Sequence, residues 1–335
     1  MSGIFIGIET SCDDTAIALV DSSQNVLSSV ISSQIEVHAS YGGVVPELAS
    51  RAHERVILDV LMRAFAEADM DVGNVGNANI EAIAVTQGPG LAGSLMVGMA
   101  AAKGLSIGWG VPLVGVNHLE GHIFALNIDN SNLELPIAVL VVSGGHTMIV
   151  ISTAQGDYRI VGETADDAAG EAFDKVARFL GLGYPGGPEI ERIARNGDPH
   201  SIKFPKASLR QPYDFSFSGP KTAVVKFVQA NRSVDIADVA ASFQQSVAEV
   251  LTERTLAAAK EFGCKSVGLS GGVGANELLR SMLLNSGMNS GFNVYLPAKQ
   301  NCTDNGAMIA VAGRYVLEKF GPSNPNIDAM PSLRL

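Results

Sequence analysis

The order of strands and helices along this chain of 335 residues repeats once, and this repeat constrains the fold more than any other feature. Hydrophobic periodicity predicts strands at 4–9, 15–20, 80–86, 112–116, 137–143, 147–152, 266–269 and 294–296. It predicts helices at 46–68, 93–107, 168–180, 236–262 and 305–319. A strand hairpin followed by a helix therefore occurs in each half of the chain. Such alternation is typical of the α/β fold class. The repeat is one of topology, because we find no self-identity at a fixed period.

The composition is that of a globular chain with an acidic surface. Hydrophobic residues make up 47% of the chain, which is enough for a sizeable core, and the length allows two domains or one large α/β unit. The net charge of −11 and the pI near 5.0 argue against a protein that binds nucleic acid by itself. A nucleic-acid substrate would require a local basic patch or a partner that supplies positive charge.

The sequence also predicts where the protein acts. No run of about 18 apolar residues is present, so we expect no transmembrane helix and no membrane contact. The first residues lack the basic region of a signal peptide. The cysteines Cys12, Cys264 and Cys302 are odd in number and far apart, which gives no disulfide framework. We therefore expect a cytoplasmic protein.

Two histidines four residues apart, His118 and His122, are candidate metal ligands. On a helix, positions i and i+4 share a face, so both imidazoles could reach one divalent cation. The spacing is that of a zinc protease helix, but Leu119 follows the first histidine, and Glu120 is rotated from that position by roughly 100°. The pair thus suggests a metal and argues against a protease. Two surface histidines on an amphipathic helix are the alternative. Asp304 is a candidate third ligand, although a lone aspartate is more often a helix cap.

Three turns rich in Gly, Ser and Thr follow predicted strands, at 9–13, 141–147 and 269–276. Glycine permits close approach of a ligand, and successive N–H groups can cradle an anion. No P-loop motif is present. A purely structural use of each turn is the alternative. Because two of the three turns lie in the two hairpins, they resemble the phosphate loops, and the third the adenosine loop, of the actin, sugar-kinase and heat-shock-70 ATPase superfamily.

Two further segments attract attention. The segment 166–175 carries Asp166, Asp167, Glu171 and Asp174, which is the composition of an acidic helix start with Asp166 or Asp167 as N-cap, or of a ligand site. The segment 184–188, Tyr-Pro-Gly-Gly-Pro, predicts a rigid turn that could be only a connector.

Together, these motifs closely resemble the universal family of tRNA threonylcarbamoyladenosine transferases of the bacterial TsaD type, formerly called glycoprotease or O-sialoglycoprotein endopeptidase. The resemblance extends roughly from Ile4 to Val316. It is carried by the segments 7–13, 41–51, 88–91, 103–122, 142–147, 167–175, 184–188, 215–219 and 302–308. Two departures are small: Asp14 stands where many members have glutamate, and Pro220 stands where leucine is usual.

The resemblance implies two actin-like lobes (the ASKHA architecture of sugar kinases and heat-shock-70 ATPases) with a central cleft. We expect the lobes at 1–117 plus 305–335 and at 118–304. It implies that His118, His122 and Asp304 bind one divalent metal, Fe²⁺ or Zn²⁺. The residues that it implies for adenylate binding are Val141, Val142, Ser143, Gly144, Gly145, Asp174, Gly187, Glu191 and Asn276.

The implied reaction transfers a threonylcarbamoyl group from threonylcarbamoyl-AMP to N6 of the adenine 3′ of the anticodon in ANN-decoding tRNAs, with release of AMP. The metal is expected to act as Lewis acid and template. Asp13 or Asp14 could accept the amine proton, and the sequence does not choose between them. The alternatives are a small-molecule kinase, a metalloendopeptidase and a non-catalytic nucleotide-binding scaffold.

The acidic pI and the resemblance also predict partners. The resemblance implies tRNA, a paralogous inactive actin-like subunit (TsaB type) and a small P-loop ATPase (TsaE type), while a separate enzyme makes the adenylate. The helix at 47–68 is a candidate subunit surface through Leu48, Ala49, Ala52, Val56 and Val60. The alternative is that this apolar stripe belongs to the core.

Overall fold

The computed structural model describes residues 3–73, 79–130, 132–206, 209 and 211–335. The residues that lie close together in space form two compact units. Unit 1 consists of Met1–Ser131 and Asp304–Leu335, and unit 2 consists of Asn132–Thr303. The first unit is therefore assembled from both ends of the chain.

The elements in chain order are β1 (Ile4–Glu9), β2 (Asp14–Asp21), β3 (Val26–Ser33), α1 (Ile35–Ala39), α2 (Pro46–Glu67), β4 (Ile80–Gly88), α3 (Ala92–Trp109), β5 (Leu113–Asn117), α4 (His118–Asp129), β6 (Ile137–Val142), β7 (Thr147–Ala154), β8 (Asp157–Glu163), α5 (Ala169–Phe179), α6 (Gly186–Ala194), α7 (Ser218–Ala230), α8 (Ile236–Glu261), β9 (Ser266–Ser270), α9 (Glu277–Asn289), β10 (Asn293–Tyr295) and α10 (Gly306–Phe320). Across the described residues, none of these helices has the length and apolarity needed to span a membrane.

The sheet of unit 1 has five strands within the described residues, in the order β3-β2-β1-β4-β5. The hairpin partners β1, β2 and β3 are antiparallel, whereas β1, β4 and β5 are parallel. Parallel strands need helical crossovers, which here are α2 and α3. The carboxyl ends of β1, β4 and β5 therefore meet at one edge of the sheet.

Helices cover both faces of this sheet, which explains why β1 is buried along its whole length. Alternate residues of a strand point to opposite faces. Ile6 and Ile8 pack into a core cluster with Ile57 of α2. The residue between them, Gly7, faces α10, where a Cβ would lie 1.9 Å from the carbonyl oxygen of Gly306. Only glycine at this position lets α10 pack directly on the strand.

Unit 2 repeats the topology of unit 1. Its sheet, also of five strands in the part of the chain that is described, has the order β10-β9-β6-β7-β8. The strands β6, β7 and β8 are antiparallel, and β6, β9 and β10 are parallel. Each sheet is thus a three-stranded meander extended by two parallel strands, which confirms the predicted α/β repeat.

The predicted strands and helices are present, with bounds that shift by a few residues. Two strands that the hydrophobic pattern does not predict, β3 and β8, lie at the edges of their sheets. Most side chains of β8 are exposed or half-buried, and in β3 only Ser28 and Val30 are buried, so neither strand has a continuous buried apolar run. The few buried apolar residues of β3 and β8 leave little hydrophobic signal in their sequences.

The boundary between the units differs from the expected one at 117/118. Helix α4 belongs to unit 1 with Asp304, since α4 packs against α10 and against the parallel strands. The rings of Phe124 on α4 and Tyr315 on α10 have centroids 5.1 Å apart. The sequence could not reveal this packing, because the two helices are separated by nearly the whole of unit 2.

Candidate functional site

The two histidines lie in the first turn and a half of α4, directly after β5. Asn117 caps this helix, since its side-chain oxygen accepts hydrogen bonds from the backbone N–H groups of Leu119 (2.9 Å) and Glu120 (3.3 Å). The amide of the same side chain donates to the carbonyl of Arg334 near the end of the chain (2.9 Å). The side chain of Asn117 therefore joins the first turn of α4 to the segment near the end of the chain.

His118, His122 and Asp304 come together in unit 1. Their ligand atoms all lie within 4.8 Å of one another. Oδ1 of Asp304 is 3.1 Å from Nε2 of His122 and 3.6 Å from Nε2 of His118. Asp304 is not the cap of α10, because Asn305 accepts the N–H of Met308 in that role (2.9 Å). The carboxylate of Asp304 instead lies against the two imidazoles.

This donor set fits a divalent transition metal. Two imidazole nitrogens from α4 and one carboxylate oxygen from the loop before α10 leave coordination positions open for further ligands. Both histidines are buried and Asp304 is partly exposed, so the group has a protein side and an open side. The three residues could hold one cation.

Glu9, at the end of β1, supports the first histidine. Its Oε2 atom lies 2.9 Å from Nδ1 of His118 and accepts a hydrogen bond from the hydroxyl of Thr86 (2.6 Å). A carboxylate that accepts the Nδ1–H fixes the tautomer, so that Nε2 carries the lone pair for a metal. A metal-ligating histidine almost always donates its other ring N–H to a carboxylate, a backbone carbonyl or water, so the contact with Glu9 supports the assignment.

The charges of the site favour a cation. Burial alone would lower the pKa of His118, but the carboxylates of Glu9 and Asp304 outweigh it and raise that pKa to about 9. Burial would raise the pKa of Glu9, but the charge and hydrogen bond of His118 hold it below its ordinary value. A proton on His118 therefore compensates negative charge that a divalent cation would compensate more fully.

The turn after β1 carries the two candidate bases. Burial, followed by the charges of Asp304, Asp13 and Glu9, raises the pKa of Asp14 to about 7 despite a hydrogen bond from Ser33. Within the described residues, Oδ1 of Asp14 is buried and has no hydrogen-bond partner. Burial also raises the pKa of Asp13, by a smaller amount. The negative charge of Asp304 raises the pKa of both carboxylates, which shows that this turn lies near the metal-ligand group.

Unit 2 brings the other predicted residues together in a ring of contacts. The first two contacts involve the glycine turn after β6. The N–H of Gly170, at the start of α5, donates to the carbonyl of Ser143 (3.2 Å). Gly271, with φ of 90°, lies against the carbonyl of Val142, where no side chain fits. A Cβ on Gly144 or Gly145 would meet nothing within 4 Å, so this turn faces open space.

The other two contacts join helix starts. Oδ1 of Asp174 accepts the N–H of Gly186, the first residue of α6 (2.7 Å). The amide of Asn276 donates to Gln244 (2.9 Å) and lies 3.4 Å from Oε2 of Glu191. Gly187, next to Gly186, also faces space that a Cβ would not fill. The N-terminal ends of α5, α6 and α9 thus belong to this ring, and helix N-termini attract anions.

Some residues have roles that the sequence did not reveal. Asp166 and Asp167 do not cap α5, whose N-cap is Ala168. Thr147 accepts the N–H of Ala169 instead (2.9 Å). Asp166 accepts the N–H of Phe217 (2.8 Å), because the loop before α7 packs beside it. Gln244 was missed entirely, although a buried amide on the apolar face of a long helix signals a specific partner.

Solved structures identify the class of protein. The full-length HypF structure in its phosphate- and nucleotide-bound form matches with a TM-score of 0.63 at 16% identity, covering 96% of this chain and 56% of that one. Component A of (R)-2-hydroxyglutaryl-CoA dehydratase from Acidaminococcus fermentans matches with a TM-score of 0.55 at 12% identity, covering 95% of this chain and 100% of that one. At these identities the likeness concerns the fold alone. The chain has the actin-like fold of the ASKHA ATPases and kinases, as the motifs predicted.

The family follows from closer relatives. The family model described as TsaD, tRNA N6-adenosine threonylcarbamoyltransferase, matches residues 25–311. Proteins of that name from Clostridium perfringens and Carboxydothermus hydrogenoformans are 48% and 49% identical to this chain, covering 99% and 100% of it and 98% of each relative. The chain belongs to this family. It is a transferase that places a threonylcarbamoyl group on adenosine of tRNA, which confirms the resemblance read from the motifs.

Replacing Glu9 tests the metal-ligand group. Glu9→Gln should lower the affinity for Zn²⁺ by about 10–100-fold, because a neutral amide no longer stabilises the Nδ1–H of His118 as a carboxylate does. Competition with a chromophoric chelator measures this affinity. Glu81→Gln, an exposed glutamate on β4, is the matched control and should bind Zn²⁺ like the wild type. Wild-type affinity in Glu9→Gln would contradict the role assigned to this carboxylate.

Proposed function

We propose that the protein transfers the threonylcarbamoyl group of threonylcarbamoyl-AMP to N6 of the adenine 3′ of the anticodon in ANN-decoding tRNAs and releases AMP. The observation that carries this proposal is the cluster of His118, His122 and Asp304, backed by Glu9, in a chain of this family. The reaction forms a bond between N6 and the carbamoyl carbon. It breaks the bond from that carbon to the phosphate oxygen, so AMP leaves with the electron pair.

The metal-ligand group would hold one divalent cation per subunit, Fe²⁺ or Zn²⁺. When bound, such a cation supplies Lewis-acid stabilisation of the negative charge that develops on the carbonyl oxygen. The two imidazoles and the Asp304 carboxylate bind it, and Glu9 keeps His118 in the tautomer that can do so. Two nitrogens with one carboxylate suit both metals, so the donor set does not choose between them.

The ring of contacts in unit 2 is the proposed adenylate site. The open turn at Gly144 and Gly145 offers backbone N–H groups to the phosphate, and the N-terminus of α6 at Gly187 adds a favourable dipole. Glu191 and Asn276 supply a carboxylate and an amide that can hydrogen-bond polar groups of the adenosine. Val141 and Val142 are buried and support the turn rather than contact the ligand by their side chains.

A carboxylate must remove the proton that N6 loses on acylation, and Asp14 is the better candidate. A base works best when its pKa lies near the working pH. The pKa of Asp14 is raised to about 7 in the protein without metal, and one of its oxygens lacks a partner among the described residues. Asp13 shares the turn and orders it. An exocyclic amine is a weak nucleophile, so positioning must supply much of the remaining rate.

Partners are expected because the chain carries a net charge of −11, while its substrate is a polyanion. We propose tRNA, threonylcarbamoyl-AMP, a paralogous actin-like subunit (TsaB type) and a small P-loop ATPase (TsaE type), all in the cytoplasm.

The apolar stripe of α2 that was expected to face a partner is partly core, because Ala49 and Val60 are fully buried. Ile107, near the end of α3, is 78% exposed, and the other exposed large apolar side chains of α2 and α3 are Leu58, Met62 and Met96, at 62%, 52% and 63% exposure. These three define the proposed subunit surface.

A transfer assay tests the reaction. The protein with its partner subunits is given threonylcarbamoyl-AMP and unmodified ANN-decoding tRNA, and nucleosides are analysed by mass spectrometry. We expect threonylcarbamoyladenosine, lost by at least 10³-fold in rate in His118→Ala because the cation is no longer held. Asn276→Ala should raise the KM for the adenylate and leave metal content unchanged. A phosphorylated sugar, a cleaved glycoprotein, or nucleotide binding without transfer would each contradict the proposal.

Variants of the turn identify the base. Asp14→Asn should slow transfer by about 10²–10⁴-fold at saturating substrate, whereas Asp14→Glu should retain part of the rate, since it keeps a carboxylate. Asp13→Asn should have a smaller effect. The opposite order of Asp13→Asn and Asp14→Asn would assign the base to Asp13.

The same carboxylate should also destabilise the metal-free protein at alkaline pH. Its pKa is about 7 folded and 3.8 as its ordinary value, so the folded state binds more protons between these limits. The free energy of unfolding should therefore fall as pH rises from 5 to 8, by roughly 1–3 kcal/mol from this group. Asp14→Asn should lose the decline between pH 5 and 6.5, measured by urea unfolding with chelator present, whereas a decline above pH 6.5 should remain because the raised pKa of His118 has the same sign of effect. Asp59→Asn, an exposed aspartate on α2, should keep both declines.

Charged residues introduced into the apolar patch test the subunit surface. Leu58→Glu combined with Met62→Glu should weaken binding of the purified actin-like partner by at least 10-fold, because two carboxylates would have to be desolvated in an apolar contact. Titration calorimetry gives the affinity. Phe320→Glu, an exposed apolar residue at the end of α10, is the control and should bind normally. Unchanged binding by the double variant would move the interface elsewhere.

A further inference from the structure

His53, on α2, is a fully buried histidine that the reaction described above does not use. Its ring touches both ends of the turn that carries the candidate bases. Nε2 lies 3.0 Å from the carbonyl oxygen of Cys12, and Nδ1 lies 2.7 Å from the hydroxyl oxygen of Thr15. Asp13 and Asp14 are the two residues between these contacts. One imidazole therefore spans the segment on which both carboxylates depend.

The chemistry of the two contacts fixes the state of the ring. A carbonyl oxygen can only accept, so Nε2 of His53 must carry a hydrogen. Burial lowers the pKa of His53 below its ordinary value, even though nearby hydrogen bonding and carboxylates oppose this effect. The ring is thus neutral, and Nδ1 is an acceptor for the Thr15 hydroxyl. The bridge is directional: the ring donates to Cys12 and accepts from Thr15.

Three other groups each form a hydrogen bond to a single residue of this turn. The hydroxyl of Ser94 also donates to the carbonyl of Cys12 (3.2 Å), the N–H of Leu91 donates to the carbonyl of Ser11 (2.7 Å), and the N–H of Gln34 donates to the carbonyl of Asp13 (3.1 Å). Each of these fixes one point. His53 bonds to two points on opposite sides of the aspartates, inside the hairpin that the pairing of Glu9 with Ala16 closes.

We infer that His53 is a positioning residue for group transfer: its neutral ring clamps Cys12 to Thr15 and so orients the carboxylates of Asp13 and Asp14. This inference rests on the proposed function, in which one of those carboxylates takes the amine proton. A misplacement of about 1 Å in such a group is sufficient to cost on the order of 10²-fold in rate. His53 itself touches neither the metal ligands nor the proposed adenylate site in any contact of the described residues.

Kinetics of three variants test the clamp. His53→Ala should lower kcat by on the order of 10–100-fold and leave the KM for threonylcarbamoyl-AMP within about twofold. His53→Gln should recover part of kcat, since its amide offers an N–H for Cys12 and a carbonyl for Thr15. Thr15→Val, which removes one contact only, should lie between His53→Ala and the wild type. Zn²⁺ content should be unchanged in all three.

A matched control separates positioning from folding. Val60→Ala removes buried volume from the same helix without contacting the turn, so it should lower the thermal midpoint and keep the wild-type kcat at a temperature where it is folded. If kcat of His53→Ala stays within twofold of the wild type, or if its loss merely follows the fall in thermal midpoint as in Val60→Ala, the inference is overturned.

A spectroscopic readout makes the test independent of the proposed reaction. The ¹⁵N chemical shifts of the His53 ring, in protein labelled on histidine and assigned with His53→Gln, should show protonated Nε2 and unprotonated Nδ1 at neutral pH. The opposite tautomer, or a doubly protonated ring, would refute the clamp even if transfer is observed. Absence of transfer by the wild type would instead refute the proposed function and leave the ring state to be judged by this spectrum alone.

Discussion

The buried carboxylate of Glu9 is the interaction on which the site in unit 1 depends. An ionised carboxylate without contact to water needs several hydrogen bonds and a positive neighbour. Glu9 obtains them from the N–H of Ser11, the hydroxyl of Thr86 and the ring of His118. Ser11 follows β1, Thr86 lies near the end of β4 and His118 follows β5, so the carboxylate can be satisfied only when β1, β4 and β5 are in register. The fold of the sheet and the tautomer of the metal-facing histidine are thereby linked.

The two units share one topology, but the edges at which their parallel strands end suit ligands of opposite charge. In unit 1, the edge where the parallel strands end gathers Glu9, Asp14 and Asp304 around two imidazoles, which suits a cation. In unit 2, the corresponding edge presents glycines at 144 and 271 and the starts of three helices, which suits an anion. In open α/β sheets, ligands bind at the carboxyl ends of the strands. The repeated sheet therefore provides two such edges, and the residues at the turns decide which charge each edge suits.

Concentrating carboxylates in unit 1 opposes stability. Burial and mutual repulsion raise the pKa values of Asp13 and Asp14, so their ionised forms are disfavoured in the folded protein without a cation. Natural proteins depart from local rules of this kind at functional sites and compensate elsewhere. Here the compensation is visible in the bonds that hold the turn, from His53, Ser94 and Leu91, and in the tight packing of Gly7 on α10.

The sequence by itself determined the α/β repeat, the helix that presents His118 and His122 on one face, the glycine turns and the family. These features depend on periodicity, spacing and local backbone chemistry, which are evident from the order of residues in the chain. Only the tertiary structure decided that Asp304 joins α4 in the same unit, that Glu9 backs His118, that Gln244 binds Asn276 and that His53 spans the turn. Each of these contacts joins residues far apart in sequence, and their partners depend on packing of whole elements. Buried polar groups must find a partner, but the sequence does not say which one, because that choice is made by the fold.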